Sequence, residues 1–419
     1  MSTSAQAQES SAIGRDKSRP HQARAGVGYS DRSDSYEAGA EAARLAMTQA
    51  GVDQCHLVLL FSTSKHDGES FRDGVRSVVG KTPRLVGGSS VGSITNDRIG
   101  YFGYEVGVAV ISAPTMRTDV FFESDLDTRG EHAVGVALGQ QVANHTYAGD
   151  PSLLLLYDSV RRAGTELNMA TAILAGMSES IAPWPNVAGV GVFGDMQFSS
   201  TVQYLDDKVL SQSALALVFH GGVRMDTIIM HGCKPSGRYH TITKAEGPVV
   251  LEIDGRKALD VLADMIPDKS WEEYPLFLTF GVNKGDKFGD FREEDYANRL
   301  CMSIDRDRGA LVMFEPDLTA GSEVQLMRRS IDLQYMSARV DRLFAQVGER
   351  RPFFALYIDC AGRASTLCGS DGEEAEEVQK ALTERGVPLL GMYSGVEIAK
   401  VGGQVQALDW TGVLCVFSE

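Results

Sequence analysis

The sequence predicts an α/β protein, in the broad sense that includes α+β folds, with mixed β-sheets and helices on their outer faces. Apolar runs of strand length alternate with longer helical patterns, and hairpin signals are frequent. One order of elements also occurs three times, over residues 57–112, 152–219 and 352–419. Because these copies are long and divergent, we interpret them as a re-used β-α-β-β-β module and not as a solenoid.

Each module begins with an apolar strand, passes through a polar turn into a helix, and returns as a second strand. The acidic turn S-D-G-E-E before the third helix is a typical helix start. The predicted elements are strand 57–61, a helix after 66–70 and strand 85–94 in the first module; strand 153–157, a helix opening at 163–166 and reaching about 181, strand 187–196 and strands near 201–205 and 213–219 in the second; and strand 353–359, helix 370–382, strand 387–398 and two closing strands in the third.

The second strand of each module carries a glycine at one shared position. These are Gly87, Gly189 and Gly391. A polar residue follows each glycine six positions later, namely Ser93, Asp195 and Glu397. Glycine inside a strand often marks a close approach of a ligand or of another backbone, so we expect the three glycines to form a shared rim.

The segments between the modules predict further helices and strands. Asp34 is the expected N-cap of the first helix and Gly51 its stop. The predicted segments are helices 36–50, 131–143 and 326–347, a hairpin turning at 206–207, strands 214–219 and 225–230 paired around 221–222, and strands 271–281, 299–304 and 310–314.

Charge and composition exclude several classes of partner. The 419 residues carry a formal charge of −16 with 43% hydrophobic residues, which is ordinary for a globular chain of two or three domains. An acidic protein repels phosphate backbones and anionic membrane surfaces. We therefore expect neither nucleic acid nor a membrane as a partner.

Cysteine usage and the chain termini predict a cytoplasmic protein. The six cysteines include no C-x-x-C pair and are interpreted as reduced thiols. Residues 1–26 are rich in Ser, Ala and Gln without an apolar signal core, so we expect a disordered tail. A break in the strand pattern near 245–248 predicts two domains, over 27–246 and 247–419.

These motifs, taken together, resemble the FIST domain family of paired N- and C-terminal sensory domains. The segments that carry the resemblance are V-G-G-S-S-V-G-S (86–93), G-C-K-P-S-G (232–237), T-I-T-K-A-E-G (241–247), L-E-I-D-G-R-K-A-L (251–259), D-C-A-G-R-A (359–364) and P-L-L-G-M-Y-S-G-V-E-I (388–398). The resemblance assigns 27–246 to the N-terminal and 247–419 to the C-terminal FIST domain. It departs from the family at Gly395-Val396-Glu397, which has an extra residue, and at His240.

What the resemblance implies is a sensory module of signal transduction that binds a small ligand, with amino acids proposed. A subset of the family are haem proteins that sense nitric oxide and regulate a histidine kinase, which is the first alternative. An enzyme that uses Glu397 or Cys360 is the second. No kinase or DNA-binding output is recognised in the sequence, so we expect the signal to pass to a separate protein.

Residues 88–92 match the G-x-S-x-G pattern of a hydrolase nucleophile, and His220 resembles part of an oxyanion-hole loop. A nucleophile elbow requires a helix directly after the serine, whereas residues 94–103 have turn and strand composition. We therefore favour a glycine-rich sheet edge over a hydrolase, and the enzyme assignment stays open.

The candidate ligand site combines the glycine-rich strands with the D-C-A-G-R turn. The fixed fork of donors on Arg363 suits a bidentate carboxylate, against the alternative of pairing with Asp359 or Glu397. Glu397 is a candidate acceptor for an ammonium group, and Cys360 is either a reactive thiol or a small buried residue. The predicted ligand-binding residues are Gly87, Gly88, Ser89, Cys360, Gly362, Arg363, Gly391, Tyr393 and Glu397.

Haem requires an axial ligand, and the candidates are His231, Cys233 and His240, which lie within ten residues of one another. The sequence lacks a C-x-x-C-H motif, so any haem would be bound without a covalent link. Against this, a histidine near a strand end is commonly a hydrogen-bonded structural residue.

Overall fold

The chain forms three similar six-stranded sheets and one seven-stranded sheet in a computed structural model that describes residues 22–161, 166–330 and 332–419. Helices cover the outer faces of the six-stranded sheets. The prediction of mixed sheets with outer helices is therefore confirmed. We call the three six-stranded sheets with their helices the body, and the seven-stranded sheet the inserted sheet.

The first part of the body begins at β1. Its elements are β1 (Arg24–Ser30), α1 (Ser35–Ala50), β2 (Leu57–Ser62), α2 (Gly68–Val79), β3 (Arg84–Ser89), β4 (Gly92–Thr95), β5 (Ile99–Tyr101) and β6 (Val106–Ser112). The second part repeats this order. Its elements are β7 (Met116–Glu123), α3 (Leu126–Arg129), α4 (Glu131–Ala143), β8 (Ser152–Asp158), α5 (Ala170–Ser178), β9 (Asn186–Val192), β10 (Gln203–Leu205), β11 (Lys208–Leu210) and β12 (Ala214–Gly221).

The third part is interrupted after its first strand, β13 (Arg224–Met230), by the inserted sheet. The inserted elements are β14 (Cys233–Glu246), β15 (Val249–Ile253), β16 (Arg256–Lys257), α6 (Ala258–Met265), β17 (Thr279–Asn283), β18 (Tyr296–Asp305), β19 (Ala310–Met313) and β20 (Glu323–Arg329), with 3₁₀ turns at Lys269–Glu272, Pro275–Phe277 and Glu293–Asp295. The third part then resumes. Its remaining elements are α7 (Gln334–Val347), β21 (Pro352–Cys360), a 3₁₀ turn (Ala361–Arg363), α8 (Ser365–Cys368), α9 (Glu374–Glu384), β22 (Leu389–Ser394), β23 (Val396–Val401), β24 (Gln404–Leu408) and β25 (Gly412–Ser418).

The three parts pair their strands in the same way. In the first, β1 pairs antiparallel with β6, β6 antiparallel with β2, and β2 parallel with β3. The same pattern joins β7, β12, β8 and β9 in the second sheet. It also joins β13, β25, β21 and β22 in the third. Each sheet therefore holds one parallel pair, whose carboxyl ends point to the same edge.

Each sheet is completed by a hairpin from another part of the chain. The β4–β5 hairpin of the first part pairs with β22 of the third sheet. The β10–β11 hairpin of the second part pairs with β3 of the first sheet. The β23–β24 hairpin of the third part pairs with β9 of the second sheet. The exchange closes a ring, so no sheet is complete without a segment from elsewhere in the chain.

The three glycines singled out from the sequence occupy matching places in these sheets. Gly87, Gly189 and Gly391 each face a residue of the preceding parallel strand and a residue of the exchanged hairpin. A Cβ added to Gly87 would lie 1.7 Å from the carbonyl oxygen of Leu60, and one added to Gly391 would lie 2.9 Å from Cβ of Ile94. These glycines therefore permit close strand contact inside the sheets.

The strand register corrects one of the three polar residues that the sequence placed six positions after the shared glycines. Ser93 pairs with Met392, and Glu397 with Val190, each one residue past the strand glycine that the modules share. The equivalent residue of the second part is Gln203, which pairs with Gly88, and not Asp195. The connection from β9 to β10 is longer than its two counterparts, so a fixed count of six residues ends in that connection before the hairpin begins.

The core follows the two-residue alternation of the strands. In β2, Leu57, Leu59 and Phe61 join the central core between the three sheets, while Val58 and Leu60 pack under the helices. Pairs of helices, α1 with α2, α4 with α5 and α7 with α9, cover the outer faces. Both faces of central strands such as β2 and β8 are thus buried, which explains the continuous apolar runs that identified these strands.

Several local expectations hold. The first helix spans Ser35–Ala50; the side chain of Asp34 accepts a hydrogen bond from the Glu37 amide, and Gly51 ends the helix in the left-handed conformation. The helix over 131–143 and the turn at 206–207 are also present. These features depend on residues close together in the chain.

Other expectations are wrong because pairing over long distances overrides the local pattern. Residues 85–94 and 387–398 are each split into two strands that belong to different sheets. Residues 214–219 and 225–230 do not pair with each other; β12 lies between β7 and β8, and β13 pairs with β25.

Three predicted element boundaries also change. Residues 326–329 belong to β20, so the helix predicted over 326–347 begins at Gln334. Residues 271–277 contain 3₁₀ turns before β17, and the helix within the second module spans Ala170–Ser178. Its predicted start at 163–166 lies mostly outside the described residues. In each case the strand or helix is present but shorter than the apolar pattern suggested.

The predicted tail and domain division have the following positions. Residues 1–21 lie outside the described part of the chain, and the strand β1 begins at Arg24, inside the predicted tail. The division between 246 and 247 lies in the turn between β14 and β15, which pair in one sheet. Within the described ranges, no helix is long and apolar enough to cross a membrane.

We expect Gly87→Ala to lower the free energy of unfolding by at least roughly 2–3 kcal/mol, because the new methyl group would collide with the backbone of Leu60. Urea unfolding followed by circular dichroism measures the change. Gly372→Ala is the matched control, since its Cβ would meet only the side chain of Leu333 at 3.3 Å. Equal stability of Gly87→Ala and the control would contradict the close strand contact.

Candidate functional site

The most enclosed apolar pocket described here lies between the body and the inserted sheet, at the carboxyl ends of β21 and β22. Its volume is about 520 Å³, within the range of small-molecule sites. The carboxyl ends of parallel strands are the usual position of ligand sites in α/β sheets. The lining residues are Phe193, Met196, Phe198, Glu273, Tyr274, Pro275, Leu276, Phe277, Leu300, Met302, Phe314, Cys360, Ala361, Gly362, Leu367, Ser394, Gly395, Asp409 and Trp410.

Several separate segments of the chain form the walls of this pocket. The strand ends supply Cys360 and Ser394, and the connection after β9 supplies Phe193. The inserted sheet supplies Leu300 from β18, and the turn between β24 and β25 supplies Asp409. The pocket therefore depends on the hairpin exchange, which brings β9 and β23 together beside the third sheet.

Asp409 is the buried carboxyl group in the pocket wall. Its Oδ2 accepts a hydrogen bond from the backbone amide of Leu300 at 2.9 Å, and its Oδ1 has no partner among the described residues. Burial raises the pKa of Asp409 to about 6, against the opposing effect of Arg299. At neutral pH this carboxyl group is therefore mostly ionised, with one oxygen atom lacking a protein donor.

Trp410 follows Asp409 in the same turn and has φ of 51°, a left-handed conformation that is unusual for a bulky residue. Its ring packs under the guanidinium of Arg329 at 3.6 Å from the ring centroid. The indole nitrogen is buried and lacks a hydrogen-bond partner in the described structure. The turn thus places an acceptor and a donor, both without protein partners, on successive residues of the pocket wall.

Glu397 lies behind Ser394 and is fully buried. The hydroxyl of Ser394 lies 2.7 Å from Oε1 of Glu397 and 2.9 Å from the carbonyl oxygen of Asp359. A hydroxyl has one proton and a carbonyl can only accept, so both contacts are satisfied when Glu397 is protonated. Burial raises the pKa of Glu397 well above its ordinary value, in agreement with this geometry.

Cys360 lines the pocket at the end of β21 and is 6% exposed. Burial, and then the nearby Glu397, raise the pKa of the Cys360 thiol well above its usual range. The nucleophilic form of cysteine is the thiolate. The surroundings of Cys360 therefore match those of a small buried residue and not those of an activated thiol.

Arg363 does not face the pocket. Its side chain is fully buried and pairs with Asp359 at 2.7 Å and with Glu374. Burial alone would lower the pKa of Arg363, but the charges of Glu374 and Asp359 raise it above its ordinary value. Two protein carboxyl groups thus occupy the guanidinium donors that the sequence suggested for a ligand carboxylate. The alternative, pairing of Arg363 with Asp359, is present in the structure.

The remaining predicted ligand-binding residues divide into two groups. Gly362 lines the pocket beside Cys360. Gly87, Gly88 and Ser89 lie in the first sheet, Gly391 lies within β22, and Tyr393 donates its hydroxyl to Glu373 at 2.7 Å; none of these five is part of the described pocket lining. The three strand glycines Gly87, Gly189 and Gly391 therefore lie outside the lining of this pocket.

Neither His231 nor Cys233 has the free geometry of an axial haem ligand, and His240 lies apart from the apolar pocket. Both ring nitrogens of His231 are engaged, one with the amide of Cys233 at 3.0 Å and the other with the carbonyl of Glu293 at 3.1 Å. The thiol of Cys233 contacts the carbonyl of His231, and His240 bonds to Asp254 at 2.8 Å. None of the three lines the apolar pocket. These residues would therefore not hold a haem inside the apolar pocket.

The hydrolase-like motif also lacks the arrangement it would need. Ser90 lies between two strands, β3 and β4, with no helix following it. His220 pairs through Nε2 with Asp119 at 2.7 Å, and its Nδ1 accepts from the amide of Ala148. Ser90 therefore belongs to a connection between two strands, and His220 forms a local pair with Asp119.

Sequence reasoning missed most of the pocket wall. Asp409 and Trp410 were overlooked, as were the aromatic residues Phe193, Phe198 and Phe314. A signal was present in D-W-T-G (409–412), where a polar residue and a large aromatic residue share a short turn between two strands. The lining from the inserted sheet had no local signal, because it reaches the pocket through tertiary packing.

Comparison with known proteins places nearly the whole chain in two family domains. The FIST N domain matches residues 56–256, and the FIST C domain matches residues 258–400. FIST domains are sensory domains of signal transduction.

An uncharacterized protein of Mycobacterium tuberculosis (strain CDC 1551) is 26% identical over 240 residues, which cover 56% of this chain and 61% of that protein. An uncharacterized protein of Methanocaldococcus jannaschii is 28% identical over 195 residues, 44% of this chain and 36% of that protein. The matched region thus spans about three-fifths or less of these relatives. A crystal structure of cyanuric acid hydrolase from A. caulinodans shows a TM-score of 0.26 at 12% identity, covering 48% of this chain and 72% of that one, a likeness too weak to carry an argument.

We expect Arg363→Ala to lower the free energy of unfolding by about 3–5 kcal/mol, because it leaves Asp359 and Glu374 buried without their cation. Arg363→Lys should recover part of this loss, since an ammonium cannot reproduce the two-sided fork. Chemical denaturation measures both. Arg238→Ala is the control, because Arg238 forms an ion pair with Asp254 while 77% of its side chain is exposed; a loss for Arg363→Ala as small as the control's would show that the buried pairs do not stabilise the fold.

Glu397→Gln should be as stable as the wild type near pH 4.5 and more stable at pH 8. The raised pKa of Glu397 means that the folded protein keeps a proton that the unfolded chain releases as pH rises. The wild type should therefore lose about 1.4 kcal/mol per pH unit relative to the variant, between the ordinary carboxyl pKa and that of the folded protein. Denaturation at several pH values tests this, with exposed Glu384→Gln as the control; a pH-independent difference would mean that Glu397 is ionised in the folded state.

Proposed function

The chain belongs to the FIST family, and from that premise we propose that it is a sensor that binds a small, largely apolar molecule in the pocket between the body and the inserted sheet. The observation that carries the proposal is the pocket wall itself. Aromatic and aliphatic side chains dominate it, and two buried polar atoms without protein partners, Oδ1 of Asp409 and Nε1 of Trp410, lie on residues of that wall. Buried polar groups normally find partners, and a bound molecule would supply them here.

The position of the pocket supports a sensory role. A ligand would touch the body through Cys360 and the inserted sheet through Leu300 and Phe314. A molecule that contacts two structural units favours the arrangement in which both contacts are made, and so shifts the population of conformations. This gives the ligand a physical route to change the surface that a partner protein meets.

The contacts between the body and the inserted sheet include specific polar ones. Arg299 of β18 donates to the carbonyl of Ala407, and Glu315 accepts from the amides of Ala170 and Thr171 at the start of α5. Directional contacts of this kind hold two units in register. We propose that ligand binding alters this register, and that the signal passes to a separate signalling protein, such as the histidine kinase that the family resemblance implies.

Amino acids are the ligand class that the family resemblance implies, and those with large apolar side chains match the lining in size and polarity. An aromatic side chain would pack against Phe193 and Phe198, which contact each other at 5.2 Å between ring centroids. Its ammonium group would find Asp409. Apolar amino acids, together with apolar amines and alcohols, therefore form the panel that tests the proposal.

We expect members of this panel to raise the melting temperature of the wild-type protein, and Met302→Trp to abolish the effect by filling the pocket. Met302 is half-buried, so the larger side chain should be tolerated by the fold. Phe288→Trp is the matched control, because Phe288 is 90% exposed and outside the lining. Differential scanning fluorimetry provides the readout; compounds that stabilise Met302→Trp as strongly as the control bind elsewhere and would refute this pocket as the site.

A further inference from the structure

The charged groups on the pocket wall are all acidic. Among the lining residues, the charged side chains are those of Glu273 and Asp409, and neither arginine, lysine nor histidine contributes to the wall. Glu273 is exposed at the mouth, whereas Asp409 is 2% exposed. The pocket therefore presents negative charge at its entrance and in its wall.

The nearest buried cations are committed to other partners. Arg299 donates to Asp317 through Nε at 2.6 Å, and to the carbonyl oxygens of Asn298 and Ala407. Arg363 pairs with Asp359 and Glu374. Neither arginine makes a described hydrogen bond to Asp409. The charge of Arg299 acts on Asp409 and lowers its pKa, but the Oδ1 atom of Asp409 lacks a protein hydrogen-bond donor among the described residues.

Aromatic side chains line the same pocket as this acidic group. Phe193, Phe198, Phe314 and Trp410 all line the pocket. The face of an aromatic ring attracts a cation, most strongly where water is excluded. This attraction is already present beside the pocket, where Arg329 lies over the ring of Trp410. A buried carboxylate beside several aromatic faces is a suitable environment for an organic cation.

We infer that the ligand of this pocket is an organic ammonium ion with an apolar body and without a carboxylate group. The ammonium donates to Oδ1 of Asp409, and the apolar body packs against the aromatic lining. This inference rests on the proposed function, because it specifies the chemistry of the same pocket. It also narrows the ligand class, since a simple amine fits better than the amino acid that carries the same side chain.

The physical reason lies in the missing counter-charge. A carboxylate in this pocket would face Asp409 and Glu273 without a basic side chain on the wall to pair with. Removing an ionised carboxylate from water is costly unless it is paired. The ammonium of an amine is favoured instead, because the carboxylate of Asp409 in the pocket wall can pair with it.

Four indole compounds separate the contribution of the ammonium from that of the carboxylate, because all four share one apolar body. Tryptamine carries an ammonium, tryptophol a hydroxyl, indole-3-propionate a carboxylate, and tryptophan both charges. We expect calorimetry at pH 7.5 to show tryptamine binding at least about tenfold more tightly than tryptophol, the range for a charged hydrogen bond. Tryptophan should bind more weakly than tryptamine, and indole-3-propionate most weakly.

Two substitutions test the role of the acidic groups. Asp409→Asn should reduce tryptamine affinity by about tenfold or more and leave tryptophol affinity nearly unchanged. Glu273→Lys changes an exposed residue at the mouth, so folding should be retained even if Asp409→Asn fails to fold. Glu273→Lys should lower the affinity for tryptamine and raise the affinity for indole-3-propionate. Glu384→Gln, an exposed residue outside the lining, is the charge control.

The outcomes distinguish this inference from the proposed function. If tryptophan or indole-3-propionate binds more tightly than tryptamine, and Met302→Trp abolishes that binding, the pocket is a ligand site but the ammonium inference is overturned. If none of the four compounds binds, or if their binding survives Met302→Trp, the proposed site is refuted and the inference falls with it. The ammonium inference would also be overturned if the wild type, Glu273→Lys and Asp409→Asn all bound tryptamine with equal affinity.

Discussion

The reciprocal exchange of hairpins between the three six-stranded sheets is the constraint on which the rest of the structure depends. β4 completes the third sheet, β10 the first and β23 the second, so each sheet is closed by strands from another part of the chain. Edge strands otherwise present unpaired backbone groups. The exchange satisfies those groups at one side of every sheet and requires the three parts to assemble together, which also aligns the carboxyl ends of their parallel strands.

The three equivalent strand ends differ in how their polar groups are satisfied. In the first sheet, Ser62 contacts the hydroxyl of Tyr204 at 2.7 Å. In the second, Asp158 accepts from Thr201 at 2.6 Å and from Gln203 at 2.9 Å. At these two ends, side chains of the exchanged hairpins or their approaches occupy the space. At the third end, Cys360 and Ser394 border a pocket instead, and the inserted sheet forms its opposite wall.

Charge burial beside this pocket has two distinct consequences. Arg363 with Asp359 and Glu374 forms a paired network, in which each charge has a partner and the geometry is held from both sides. Among the described residues, neither Asp409 nor Glu397 forms an ion pair of this kind, although the charge of Arg299 lowers the pKa of Asp409. Glu397 is stabilised in its protonated form, whereas the pKa of Asp409, raised to about 6, still leaves it charged at neutral pH. The first group stabilises the fold, and Asp409 is the charge that remains for a ligand.

The sequence by itself determined the features that depend on neighbouring residues. The strand and helix types, the capping of α1 by Asp34 and Gly51, the matching glycines of the second strands and the family resemblance are all carried by local patterns. Only the tertiary structure decided which hairpin completes which sheet, that Gln203 and not Asp195 matches Glu397, and that Arg363 is enclosed by carboxyl groups. It also brought Asp409 beside Leu300, 109 residues away in the chain. Local patterns indicate which secondary structure a segment forms, but not which distant segment packs against it. Burial by that distant segment determines the protonation state and the hydrogen-bond partners of the groups in the site.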